Sequence, residues 1–436
     1  VRVVTWRKAI LPLLALALVL SVVVVPLAAA ACPEWSTPVN ISGSPGVSQE
    51  PAIAIDSSGT THVVWQDNMP GVYEVFYACK PADGSWSAPI IISPDDTNAS
   101  QYPDIAIDGD DNLHVVWQDD TALGTIDIYY INKTAGGPWS SEVVIYSDAA
   151  PSMWPAIAID NHDNLHVVWH DQEPGSYEIY YSMSMDGGST WLPPAIISGA
   201  PGSYAAAIAI DSEDNLHVVW QHIILSKYEI YYATKPSGDP WSTPVNISKN
   251  SGDSLYPAIA TDNSNNLHVV WEDLTPGNYE ILYSISMDGG LTWPTQVNIS
   301  DSDDSSVFPD IATDSNNGLH VVWSDWTPGN LEVYYASKPS DGSWSAPENI
   351  SNSEDDSNTP AIAIDNHSRN LRVVWSEQVA ALDWEIMYAS AALPEEAAEG
   401  GLSWPVIVGI AVGGVAAAAG IYFFTIRRWL KPGGVE

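Results

Sequence analysis

Short apolar runs separated by polar, turn-forming clusters recur along most of this chain. Residues Pro155 to Ser198 show the pattern well. PAIAID is a brief apolar run ending in Asp; the turn NHDN leads into LHVVWHD, and QEPGS leads into YEIYYS. A glycine-rich turn then reaches Trp191 and the run PPAIIS. Each run is rich in Val, Ile, Tyr and Trp and bounded by Asp, Asn, Gly or Pro, the signature of short strands. No apolar period of 3.6 persists long enough in this region to predict a helix.

The unit repeats seven times at a spacing of 51 or 52 residues, with its anchor at Pro51–Asp56, Pro103–Asp108, Pro155–Asp160, Ala206–Asp211, Pro257–Asp262, Pro309–Asp314 and Pro360–Asp365. Such a period means stacked supersecondary units, none of which buries its own faces alone. Four antiparallel strands per unit, repeated radially, predict an all-β, seven-bladed β-propeller. The last unit, Pro360 to Ser390, has three strands, whereas a fourth-strand phrase starts at Trp35, before the first anchor. The stretch Trp35–Ser42 is therefore expected to complete the final blade and close the ring, leaving no open sheet edge there.

The ends add a location. Arg2, Arg7 and Lys8 precede an apolar stretch from Ile10 to Val25 and then Ala28–Ala31, which predicts a secretory signal peptide over residues 1–31. Cys32 then offers either lipidation or a bridge to Cys79, and these stay open. The expected propeller covers 32–390 and a short acidic stalk 391–404. The uncharged segment 405–426 is long enough for a transmembrane helix, and Arg427, Arg428 and Lys431 mark residues 427–436 as a cytoplasmic tail. The expectation is a single-pass cell-membrane protein with its propeller extracellular. The formal charge of −40 repels nucleic acid, attracts cations and also suits a high-salt habitat. Sequons at Asn40, Asn98, Asn132, Asn246, Asn298, Asn349 and Asn366 permit glycosylation without indicating it.

Two turns carry a family resemblance. Ser184-Met-Asp186-Gly-Gly188-Ser-Thr190-Trp191 and Ser286-Met-Asp288-Gly-Gly290-Leu-Thr292-Trp293 match the Asp-box, and Asp83-Gly-Ser-Trp86 and Asp341-Gly-Ser-Trp344 are shorter versions. The ectodomain resembles the sialidase (BNR/Asp-box) propeller superfamily. The resemblance implies that the box is a structural turn between third and fourth strands, away from the ligand face. It also implies that a sialidase would hold its substrate carboxylate with three arginines, beside a Tyr–Glu nucleophile pair and an Asp acid/base. Here the ectodomain has only Arg369 and Arg372, in one blade, so sialidase activity is not expected.

Repeated polar positions read as scaffold. His62, His114, His166, His217, His268 and His320 share one place in the second strand, which Arg372 takes in the seventh unit. Spread around a ring, they cannot converge on one metal; each needs a carboxylate, hydroxyl or carbonyl partner. Glu74, Asp127, Glu178, Glu229, Glu280, Glu332 and Glu385 repeat likewise in the third strand. The acidic hairpins Asp108–Asn112 and Asp160–Asn164 lack the later carboxylate of a calcium loop, so a tight Asp/Asn turn is the simpler reading, with weakly bound calcium as the alternative. No other cofactor and no metal site is expected.

Function is sought where the repeat varies. The loops entering each first strand end on Tyr102, Trp154, Tyr204, Tyr256 and Phe308, with Glu50 and Thr359 interrupting the series. Such aromatics stack on sugars or anchor a protein, or cap the core between blades. His170, Asp171 and His222 are the non-repeated polar cluster with chemical potential. The expected function is an extracellular propeller binding a glycan or a surface protein. A polysaccharide-acting hydrolase or lyase working through blades three and four is the alternative, and a structural subunit of a cell-envelope assembly a further one.

Overall fold

The computed structural model describes residues 33–94, 97–120, 124–173, 175–381 and 383–393. The expected signal peptide, transmembrane helix and tail, with Cys32, lie outside them. Among the described residues no helix is long and apolar enough to cross a membrane. They form seven four-stranded antiparallel sheets arranged as the blades of a propeller.

Blade 3 shows how the sequence makes a blade. Its strands are Ser152–Ile159, Leu165–Asp171, Glu178–Ser184 and Ala195–Ile196, from the axis outward. Ile157 faces Val167, Trp169 faces Tyr180, and Tyr180 faces Ile196. The second strand is buried along its whole length because neighbouring blades cover both of its faces, so it reads as the continuous run LHVVWHD rather than an alternation. The core therefore lies between blades: Val168, Ile179 and Tyr181 of blade 3 pack with Leu216, Val218 and Trp220 of blade 4. Trp169 and its six equivalents, Trp65 to Trp375, are completely buried, each contributing about 2–3 kcal/mol of transfer free energy.

A polar chain runs through the same layer. His166 pairs through Nδ1 with the Tyr181 hydroxyl at 2.8 Å and through Nε2 with Asp160 at 3.3 Å, and all six histidines make this pair of contacts. Each Tyr in turn meets edge-on the fourth-strand Trp of the next blade, as Tyr181 meets Trp241 at 5.1 Å. The turn Asp uses its other oxygen on its own turn: Asp160 Oδ1 accepts the Asn164 N–H at 2.8 Å. The histidines thus serve as inter-strand clasps. The repeated third-strand carboxylates do not pair with them; they accept hydroxyls from the outer loop, as Glu178 accepts Ser198 at 2.9 Å.

Closure is as the strand count predicts. Val39–Asn40 pairs with the last strand, Asp383–Ala392, with Val39 opposite Tyr388. That last strand runs past the expected end at Ser390. Trp35 packs edge-on against Tyr335, and Trp86 of blade 1 against Tyr388. Arg372 does more than replace a histidine donor. It binds Asp365 at 2.9 Å within its own blade, and the Gly59 carbonyl at 2.9 Å and the Thr61 hydroxyl of blade 1.

Candidate functional site

Every first strand is bulged near its start. In blade 3 the pairing shifts between Met153 and Ala156, and Trp154 takes the left-handed conformation at φ 54°. Its equivalents Glu50, Tyr102, Ala205, Tyr256, Phe308 and Thr359 do the same. A non-glycine residue pays about 1–2 kcal/mol for this conformation, so the surroundings must hold it there. They do so from the preceding blade: Gln66, Gln118, Gln221 and Glu272 accept the backbone N–H of Tyr102, Trp154, Tyr256 and Phe308 at 2.9–3.1 Å. The bulge places these seven residues around the axis, where they line a cavity of about 310 Å³.

The aromatic members form an arc. Tyr102 and Trp154 lie 5.2 Å apart between ring centres, Trp154 and Tyr256 5.8 Å, and Tyr256 and Phe308 5.0 Å. Glu50 and Thr359 fill the rest of the ring with polar groups. Tyr204 is not a member: the bulge takes the residue directly before the anchor, which in blade 4 is Ala205, and Tyr204 lies one residue earlier. Tyr204 instead packs against His170 at 5.8 Å and Tyr177 at 5.1 Å, outside the ring.

His170, Asp171 and His222 each fill a scaffold position. His170 stands where blades 1, 2 and 4 have Gln; it accepts the Ala205 N–H at 3.4 Å, and burial lowers its pKa to about 3. Asp171 accepts the Ser152 hydroxyl at 2.5 Å, the contact that Ser48–Asp67 and Ser100–Asp119 repeat. His222 replaces that Asp in blade 4 and meets Ser203 at 2.9 Å. Consecutive strand residues point to opposite faces, so His170 and Asp171 do not converge on one reacting atom. At the opposite end of the ring, Asp160, His162 and Asp214 approach one another closely among the described residues. His162 is exposed, and the Asp214 oxygens hold it and Asn161 across the blade boundary.

Four carboxyl groups near the axis were missed in the sequence reading. Asp104 and Asp310 replace the Ala of PAIAID; each accepts the next N–H in its strand and one from the adjacent blade, Ile157 or Ile362. Burial pushes both up to about 6 and pushes Glu50 and Glu272 up to about 7. The signal was there, as two Asp residues at one inner-strand position and an acid breaking each of two other series. For Glu272 the linkage is direct. Its folded pKa is raised, so its stabilising contribution is full below the ordinary value of 4.5 and is lost as pH rises through about 7. Glu272→Gln, which restores the residue of blades 1, 2 and 4, is expected to match the parent near pH 4.5. At pH 8 it should be more stable by about 1–3 kcal/mol. Thermal melts at the two pH values check this; an equal gain at both would mean that burial of charge is not the cause.

No family model and no curated relative matches the chain. Solved structures do match in fold. The BP39L lectin of Burkholderia pseudomallei aligns at a TM-score of 0.58 and 17% identity, covering 78% of this chain and 98% of the lectin. A polysaccharide lyase, an ulvan lyase bound to -[GlcA(1-4)Rha3S]-, aligns at 0.57 and 11% identity over 82% of this chain and 94% of its own. A trans-sialidase of Ruminococcus gnavus aligns at 0.46 and 10% identity, over 82% and 97%. The chain shares the propeller fold of the lectin and the lyase, and identities this low carry nothing beyond the fold.

Proposed function

We propose that this protein is a glycan-binding propeller, anchored in the cell membrane by residues 405–426, with its ligand at the axial mouth. The observation that carries the reading is the arc of Tyr102, Trp154, Tyr256 and Phe308, partly exposed around a cavity that Glu50, Asp104 and Thr359 also line. Flat apolar rings beside hydrogen-bonding groups match the two kinds of face that a sugar presents. Binding rather than catalysis is favoured because His170, Asp171 and His222 are each engaged in holding strands together. An acidic polysaccharide is disfavoured: Arg369 and Arg372 sit at the opposite end of the ring, at the turn of the last blade.

The test is a glycan array probed with the full-length chain, with and without calcium. Trp154→Ala is expected to weaken the captured glycan by about 2 kcal/mol, roughly 30-fold, as removal of a central aromatic anchor does. Its melting temperature should stay close to the parent's. Absence of binding to every glycan would remove the reading and favour a protein partner.

A further inference from the structure

We propose that the sugar held at the axial mouth bears a free amine, so that an ammonium group sits between the aromatic arc and Glu50. This deepens the glycan reading above and rests on it. Glu50 lines the same cavity as Tyr102, Trp154, Tyr256 and Phe308. Among the described residues no donor hydrogen-bonds to its carboxylate, and burial alone sets its pKa near 7. Asp104, the other carboxylate lining the cavity, is already bonded to two backbone N–H groups. Glu50 is near enough to the rings for its charge to raise the Tyr102 and Tyr256 hydroxyl pKa values, added to the larger effect of burial.

No lysine, arginine or histidine lines the cavity, and among the described residues none forms an ion pair with Glu50. Lys80, Lys133, Lys235 and Lys338 end third strands at the far end of the ring, and Lys227 is paired with Glu229. The pocket therefore combines a desolvated carboxylate lacking a counter-charge with several π faces, and both are satisfied by the same species. A cation over aromatic faces is attracted by the ring quadrupoles, and more so when water is excluded. A neutral acetamide would leave the carboxylate unpaired, and a uronate would be repelled by it. The net charge of −40 draws cations toward the protein but cannot choose among them; the pocket can. At about 310 Å³ the cavity is at the small end of ligand sites, suited to an end sugar rather than a buried chain.

The test is isothermal titration of the full-length protein with a fully de-N-acetylated glucosamine tetramer and with its N-acetylated counterpart. The pH is near 7, where Glu50 is partly ionised and an ammonium partner favours its charged form. Salt at about 1 M shortens the screening length to about 3 Å and removes general attraction to the acidic surface. The amine form is expected to bind about ten-fold tighter or more. Glu50→Gln should erase that preference while leaving affinity for the acetylated form within about two-fold. Equal affinities, or a preference for the acetylated form, would overturn the amine inference and leave the glycan reading standing. Loss of both ligands in Glu50→Gln would also overturn it, since Glu50 would then shape the mouth generally. Binding of a lysine-rich peptide but of neither sugar would overturn the inference and the glycan reading together.

Discussion

Deleting residues 33–42 is expected to abolish the folded monomer. These residues supply the fourth strand of the blade that closes the ring, so their removal acts at one seam but opens the whole circle. Ile41, 6% exposed, leaves the seam between the first and last blades, and Trp35 leaves Tyr335. Ser42 donates to Glu385 and accepts the Ile386 N–H at 2.8 Å, so the buried Glu385 carboxylate loses the hydroxyl that solvates it. The main chain of Asp383–Ala392 becomes an open edge, a template for pairing with another molecule. Lost apolar burial contributes about 2–3 kcal/mol per large side chain and the lost hydrogen bond to the carboxylate about 1–3 kcal/mol. The total is comparable with the net stability of a whole domain, about 5–15 kcal/mol. Size-exclusion chromatography should find aggregate, and thermal melts should lose the cooperative transition. A synthetic peptide of residues 33–46 added in trans should restore part of it. A deletion variant that melts within a few degrees of the parent would show that the seam is closed by other contacts, with Arg372 the first to examine.

Much of this architecture was legible because a repeated blade states each position seven times. The pairing of each second-strand His with a donor or acceptor, the strand order and the N-terminal closure all follow from residues seen in several registers. Resemblance to Asp-box propellers added only what two turns can carry. The functional end was less legible for the same reason. Consensus hides deviations, and a site is made of deviations. Tyr204 looked equivalent to Trp154 because both are aromatic and precede the anchor, yet the bulge selects the residue directly before it, which in blade 4 is Ala205. Glu50 looked like a gap in an aromatic series; in space it faces that series across a cavity. His170 and His222 looked like chemistry because they differ from the consensus, but each accepts or shares the same hydrogen bond as the residue it replaces. Identity with a neighbour's role in the scaffold depends on backbone geometry, which spacing alone does not give.

The two glycines of the turn from Ser184 to Trp191 should behave very differently when given a single methyl group. Both Gly187 and Gly188 are left-handed, at φ 67° and 84°. A Cβ on Gly187 would meet nothing within 4 Å, so Gly187→Ala is expected to cost only the conformational penalty, about 1–2 kcal/mol. A Cβ on Gly188 would lie 2.1 Å from the Tyr130 ring of the preceding blade, far inside van der Waals contact. Tyr130 cannot yield freely: it donates to the Gly187 carbonyl at 3.0 Å, pairs with His114 at 2.7 Å and packs edge-on against Trp191 at 5.3 Å. Gly188→Ala therefore adds overpacking and a disturbed buried polar pair to the same penalty, about 3–5 kcal/mol in all. Urea unfolding of the two variants measures the difference as a shift in midpoint. Gly289→Ala and Gly290→Ala repeat the comparison against Tyr232, where the second glycine's Cβ would again lie 2.2 Å from the ring. Equal costs within each pair would mean that the turn yields and the clamp between blades is not a source of stability. Because these turns lie at the end of the ring away from Trp154 and Glu50, any Gly188→Ala protein that remains folded should bind its ligand as the parent does.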